Sequence, residues 1–165
     1  MVNSELKLVA NWFQANKLCL NLNKTNYMLF SNSSNEIPRE VVINNSVINK
    51  CDCCKFLGIH IDSALTWKHH VNFLCKVIAS NIGGIYRIRH FPPRPVLHSL
   101  YNTLIVPHIN YGILAWGTSS VRNLNRILRL QKRVLRSINF TEYHADSDPL
   151  FSKHKALKIN DIYNH

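Results

Sequence analysis

At 165 residues, with 46% hydrophobic and 18% charged side chains, the chain has the composition of a folded protein and room for one compact domain or two small lobes. Twenty Lys and Arg stand against nine Asp and Glu, giving a formal net charge of +11 and a pI near 9.7, so the partners to consider are anionic: nucleic acid or an acidic membrane surface. No stretch reaches the ~18 apolar residues of a membrane span, and Met1 to Glu5 lacks the basic segment and apolar run of a secretory signal, so the expected setting is intracellular, nucleus or cytoplasm, with no membrane partner.

The pattern opens with Leu6, Val9, Ala10 and Phe13 at helical spacing, which predicts a helix from Glu5 to Ala15 with Ser4 as its N-cap. Leu18, Leu20 and Leu22 then alternate with Cys19 and Asn21. Tyr27-Met28-Leu29-Phe30 reads as a short buried strand and Ser31 to Asn35 as a polar loop. Val41-Val42-Ile43 and Val47-Ile48 flank Asn44-Asn45-Ser46, a hairpin-type turn signal. Phe56 to Ile61 is a further apolar strand closed by Asp62-Ser63. The first third is thus a helix plus several antiparallel strands, in which Tyr27, Phe56, Leu57 and Ile59 are expected to serve the core and Gly58 a backbone turn.

Beyond Thr66 the period becomes helical. Trp67, Val71, Leu74, Val77 and Ile78 form one stripe, weakened at Gly83-Gly84, and Pro92-Pro93-Arg94-Pro95 breaks it. A second helix runs from Val96 to Val106, perturbed at Pro107 and followed by Ile109 to Trp116. Gly117 to Ser120 is a turn leading into a third helix, Val121 to about Ile138. At ~100° per residue that helix puts Leu124, Ile127, Leu128, Val134, Leu135 and Ile138 on one face and Arg122, Arg126, Arg129, Lys132, Arg133 and Arg136 on the other. After Phe140 the connector turns acidic, and Pro149-Leu150-Phe151 starts a short helix ending at His165. The fold class that results is α+β, a small antiparallel sheet followed by a helical lobe.

Charge placement says more than its total. From Ser63 to Phe140 there are eleven Lys or Arg and no Asp or Glu, so the excess sits on one segment; solvated surfaces ordinarily mix signs. A phosphate-tracking helix is the expected use of the six cations. Cys51-Asp52-Cys53-Cys54 lacks the paired spacing of structural zinc sites, and five cysteines do not suit a disulfide framework; no metal site is expected.

Trp12, Asn16, Leu18 and Asn21 leading into Asn23-Lys24-Thr25 and Met28-Leu29-Phe30, then Phe56-Leu57-Gly58-Ile59-His60-Ile61-Asp62 and Leu65-Thr66-Trp67-Lys68, form an ordered series of blocks. It continues with Tyr101, Leu104-Ile105-Val106-Pro107, Tyr111-Gly112, Trp116-Gly117, Leu130-Gln131-Lys132-Arg133 and Pro149-Leu150-Phe151. In that order the blocks resemble the reverse transcriptases (RNA-directed DNA polymerases) of jockey-like non-LTR retrotransposons, over the stretch that follows the catalytic strand.

The resemblance implies that residues 1–62 are the end of the palm, 63–140 a basic helical thumb and 141–165 a post-thumb connector with a short helix. It makes Lys24 a motif D-like residue near the chemistry and Phe56, Leu57 and Gly58 a primer-grip-like hairpin, with an RNA/DNA template–primer duplex as partner. Such polymerases hold two Mg²⁺ ions on adjacent aspartates plus one from an earlier strand. This chain has no Asp-Asp pair, and the family places that pair upstream of Trp12; the chain is therefore expected to have no cofactor of its own, no catalysis alone, and at most nucleic-acid binding. The alternative is a basic helical nucleic-acid-binding or interaction module of cellular origin.

Overall fold

The computed structural model describes residues 2–30 and 40–163. They form two compact units, Met1–Leu65 and Thr66–His165, and the class is α+β.

The first unit starts with helix α1, Val2–Ala15. It begins three residues earlier than Ser4 would dictate as a cap, so Ser4 lies inside the first turn; Asn3 instead reaches across, donating from Nδ2 to the Glu40 carbonyl (3.2 Å) and accepting from the Val42 N–H (3.1 Å). The helix stops where Lys17 takes a left-handed φ of 55°. Leu22–Lys24 is a single 3₁₀ turn.

Strand β1 is only Asn26–Tyr27, and it pairs in parallel with β4, Asn49–Lys50. Met28 to Phe30 are not strand, and Phe30 is exposed, so the buried strand expected over 27–30 is cut to its first residue. The expected loop at Ser31 to Asn35 lies outside the described residues.

β2 (Val42–Ile43) and β3 (Ser46–Val47) form the expected hairpin. Asn44 and Asn45 both have positive φ (49° and 61°), which a two-residue type I′ turn demands and asparagine tolerates. The apolar run 56–61, which reads as a strand by its pattern and as part of a hairpin by the resemblance, is a second hairpin. β5 (Cys53–Phe56) and β6 (Ile59–Asp62) pair antiparallel around Leu57 and Gly58, at φ 45° and 84°. Gly58 serves the turn as expected, whereas Phe56 (60% exposed) and Leu57 (72%) project into solvent and serve no core. Ile59 and Tyr27 are half-buried. What core this unit has is Ala10, Val41, Ile43 and Ile48, packed by Leu6, Leu20, Leu22 and Tyr27.

The second unit is helical. α2, Lys68–Ile88, runs unbroken through Gly83-Gly84, because Ile82 and Ile85 on either side are both buried and their packing outweighs the poor helix propensity of glycine. α3 is Arg94–Leu104, with Pro93 at the N-cap and Pro95 in the first turn, where a missing N–H costs nothing. The expected helix over 109–116 is two short pieces: α4 (Val106–Asn110) and α5 (Ile113–Trp116), separated by Gly112 at φ 64°. Trp116 is fully buried and donates from Nε1 to the Tyr111 carbonyl at 2.8 Å. Gly117 admits no Cβ: one there would run into the Ile113 carbonyl and the Tyr163 ring.

α6, Val121–Asn139, packs along α2. The terminal region is α7 (Asp148–Lys153) and α8 (Ile159–Ile162) rather than one helix, and His165 lies outside the described residues. Gln131, buried on α6, holds that region from both sides: Nε2 donates to the Leu157 carbonyl (3.1 Å) and Oε1 accepts from the Ile159 N–H (3.0 Å).

Candidate nucleic-acid interface

The site is built on α6 by its own periodicity. Ile127, Val134, Leu135 and Ile138 are buried and Leu124 and Leu128 half-buried, which fixes the rotation of the helix. With that face inward, Arg122, Arg126, Arg129, Lys132, Arg133 and Arg136 fall within an arc of about 120° on the other side. From Arg122 to Arg133 the row covers about 16 Å of helix axis, some five phosphate steps along one strand of B-form duplex.

The six cations are not equivalent. Arg122, Arg129 and Arg133 are exposed; Arg126, Lys132 and Arg136 are half-buried. Arg126 donates from Nη1 to Asn72 Oδ1 on α2 at 2.7 Å, so it ties the two long helices together. Arg136 donates from Nε to the Ala145 carbonyl at 2.8 Å and holds the connector after α6. Lys132 contributes charge near Asp148, whose carboxyl is held below the usual carboxylate range mainly by a hydrogen bond from Lys158. Among the described residues Arg129 bonds within its own helix, to the Asn125 carbonyl at 3.3 Å. Cys75 of α2 sits beside Arg126 and Arg129, yet burial pushes its thiol up against the pull of the two guanidinium groups.

The other residues singled out from the sequence lie in the first unit. Lys24 ends the 3₁₀ turn and is exposed. Phe56, Leu57 and Gly58 make the exposed tip of the β5–β6 hairpin. Burial pushes the Cys51 and Cys53 thiols up, with the neighbouring Cys54, Asp52 and Asp62 adding to it. Among the described residues no three His, Cys, Asp or Glu side chains gather where they could hold a metal ion. The chain's five aspartates include no adjacent pair, so its carboxylates do not fit a two-Mg²⁺ centre, and no metal-assisted step is assigned to it.

Compared with known proteins, the chain is 22% identical over 158 residues to a probable RNA-directed DNA polymerase from transposon X-element of Drosophila melanogaster, covering 94% of this chain. It is 23% identical over 155 residues to the RNA-directed DNA polymerase from mobile element jockey of the same fly, and 24% over 153 residues to that of Drosophila funebris, each covering 91% of this chain. The chain resembles the RNA-directed DNA polymerases of jockey-like mobile elements. It spans 17% of the length of these polymerases. No family model and no solved structure matches. Among the described residues no helix is long and apolar enough to cross a membrane.

The surroundings of the far end of α6 are not visible from periodicity or composition. Phe140 closes the helix in the left-handed region (φ 58°), and the Thr141 N–H returns to the Arg136 carbonyl at 3.1 Å. The chain thereby doubles back, bringing Tyr143 and His144 beside Arg133 and Arg136. Arg89, just past the end of α2, arrives at the same place; in the sequence it stands with Arg87 and Arg94 as a secondary binding candidate of the acid-free segment. No glycine announces the turn at Phe140, so the sequence carries no local signal for it.

Proposed function

We propose that the chain is a segment of a mobile-element RNA-directed DNA polymerase whose helical unit grips template–primer duplex as a thumb, with the first unit as the rear of the palm and no catalysis by the segment alone. The observation that carries the reading is the uninterrupted cationic arc of α6 set opposite a buried apolar face. A row of guanidinium groups without intervening carboxylates tracks phosphates and reads no bases. Lys24 and the Phe56-Leu57-Gly58 tip take the motif D-like and primer-grip-like roles; their exposure leaves them accessible to a bound primer end. Mg²⁺ would belong to the longer polymerase, on carboxylates this segment does not supply.

The test is fluorescence anisotropy with an RNA–DNA hybrid and a B-form duplex at a series of salt concentrations. Three exposed arginines on phosphates predict a log–log slope of roughly −3 on B-form DNA, and scrambled sequences should bind alike. Binding that ignores salt, or that depends on base sequence, contradicts a thumb and favours a sequence-reading module. Purified chain should incorporate no deoxynucleotide on a primed template, and Lys24→Ala should change nothing in that assay.

A further inference from the structure

Between the C-terminal halves of α2 and α6 lies a cleft of about 370 Å³, a size in the range of small-ligand sites, roughly 300–1,000 Å³. Tyr86, Arg89, Arg133, Arg136, Ser137 and Tyr143 line it. Three observations set it apart from the open face of α6. First, three guanidinium groups converge on one concavity, and none of them is paired with a carboxylate among the described residues. Second, Ser137 is 8% exposed and its Oγ is buried with no hydrogen-bond partner among the described residues, a costly state that a ligand acceptor would relieve. Third, the cleft carries exposed aromatic rings. Tyr143 is 73% exposed, and Tyr86, 55% exposed, has the Arg89 guanidinium over one face at 4.0 Å.

Arginines and a hydroxyl suit a phosphate; exposed tyrosines beside them suit the face of a base. A duplex offers no base faces along its length, because they are stacked on one another, and presents only phosphates and edges. We infer that this cleft takes one unpaired nucleotide of a single-stranded segment, its phosphate on Arg133, Arg136 and Ser137 and its base against Tyr143. The inference rests on reading α6 as a nucleic-acid-binding helix and adds to it a distinct single-strand site at the helix end. The connector holds the site together: Arg136 Nε bonds the Ala145 carbonyl and the Thr141 N–H bonds the Arg136 carbonyl, so Tyr143 is carried on a loop tied at both ends.

The experiment compares the full chain with its Tyr143→Ala, Tyr143→Phe and Ser137→Ala variants, measuring affinity for a short oligothymidylate and for a hairpin-closed duplex in parallel. Tyr143 is so exposed that truncating it removes little packing. Tyr143→Ala is expected to weaken the single strand on the order of tenfold and leave the duplex unchanged, with Tyr143→Phe retaining wild-type affinity. Ser137→Ala should weaken the single strand a few-fold without lowering the Tm. Single-strand affinity untouched by Tyr143→Ala, or equal losses on both probes, overturns the cleft. If the duplex binds with its salt slope and Tyr143→Ala has no effect, the cleft fails and the thumb reading stands. If only the single strand binds, through Tyr143, the thumb reading fails and the cleft stands.

Discussion

In the unit Met1–Leu65, four apolar residues among those described are buried and ten large ones are exposed; in Thr66–His165 nineteen are buried and thirteen exposed. The first unit is held by a small cluster around Ile43 and Ile48, by strands of two to four residues, and by the two hydrogen bonds of Asn3. The second interlocks two long helices over a continuous core and adds buried polar clamps. Stability therefore resides in the second unit, and the apolar surface of the first, with Trp12, Phe30, Phe56 and Leu57 exposed, is too extensive for a domain that stabilises itself.

Two of the three tryptophans, Trp116 buried and Trp12 exposed, break or sustain this contrast. Trp116→Ala, which empties a fully buried site and removes the bond to the Tyr111 carbonyl, should cost ~3–5 kcal/mol in urea unfolding. Trp12→Ala, at 58% exposure, should stay within ~0.5 kcal/mol. Comparable losses at both would contradict the contrast between the two units. Next in size is Gln131→Leu, which keeps the volume but leaves the Leu157 carbonyl and the Ile159 N–H without partners; ~1–3 kcal/mol should be lost, and amide exchange near Ile159 should accelerate. Gly83→Ala works in the other direction. An added Cβ at Gly83 meets nothing within 4 Å, so helix propensity alone decides and ~0.5–1 kcal/mol should be gained.

The smallest effect is pH-dependent. His154 Nε2 lies 2.7 Å from Asn139 Nδ2, which also donates to the Leu135 carbonyl, while Asn139 Oδ1 accepts from Lys153 Nζ; the network assigns the acceptor role to the imidazole nitrogen. Burial lowers the His154 pKa below its ordinary 6.5, helped by His98, stacked at 4.8 Å, and by Lys153. Because the folded value is depressed, the unfolded chain binds the proton first. The contribution is intact above about pH 6.5 and is lost as pH falls through the folded value. Thermal unfolding should show Tm declining below that pH, less so in His154→Gln; an equal decline in the variant would remove His154 from the account.

The same contrast governs what the sequence reveals. α6 is legible because its apolar residues repeat at one helical spacing, with Gln131 the polar exception on the buried face, and no acid breaks the row of cations. The Asn44-Asn45 turn is legible because asparagine tolerates positive φ. The Leu57-Gly58 turn is legible at Gly58 and through the family resemblance but not from the apolar run itself, since a leucine at φ 45° contradicts its own propensity. Gly83-Gly84 misleads in the opposite sense, because burial of Ile82 and Ile85 overrides a local preference. The cleft of Tyr86, Ser137 and Tyr143 depends on the left-handed Phe140 and on helix packing, neither of which has a local sequence signal.

The most direct test of the central claim, that the outer face of α6 binds duplex through phosphates, is the salt dependence of the Arg122→Gln, Arg129→Gln, Arg133→Gln triple variant. These three are exposed and hold no other element in place among the described residues, whereas Arg126 and Arg136 brace α2 and the connector. The log–log slope should flatten by roughly 0.9 for each phosphate of B-form DNA that is no longer neutralised, with Tm and circular dichroism unchanged. A slope equal to that of the wild type, in a variant that folds as well, would contradict the claim.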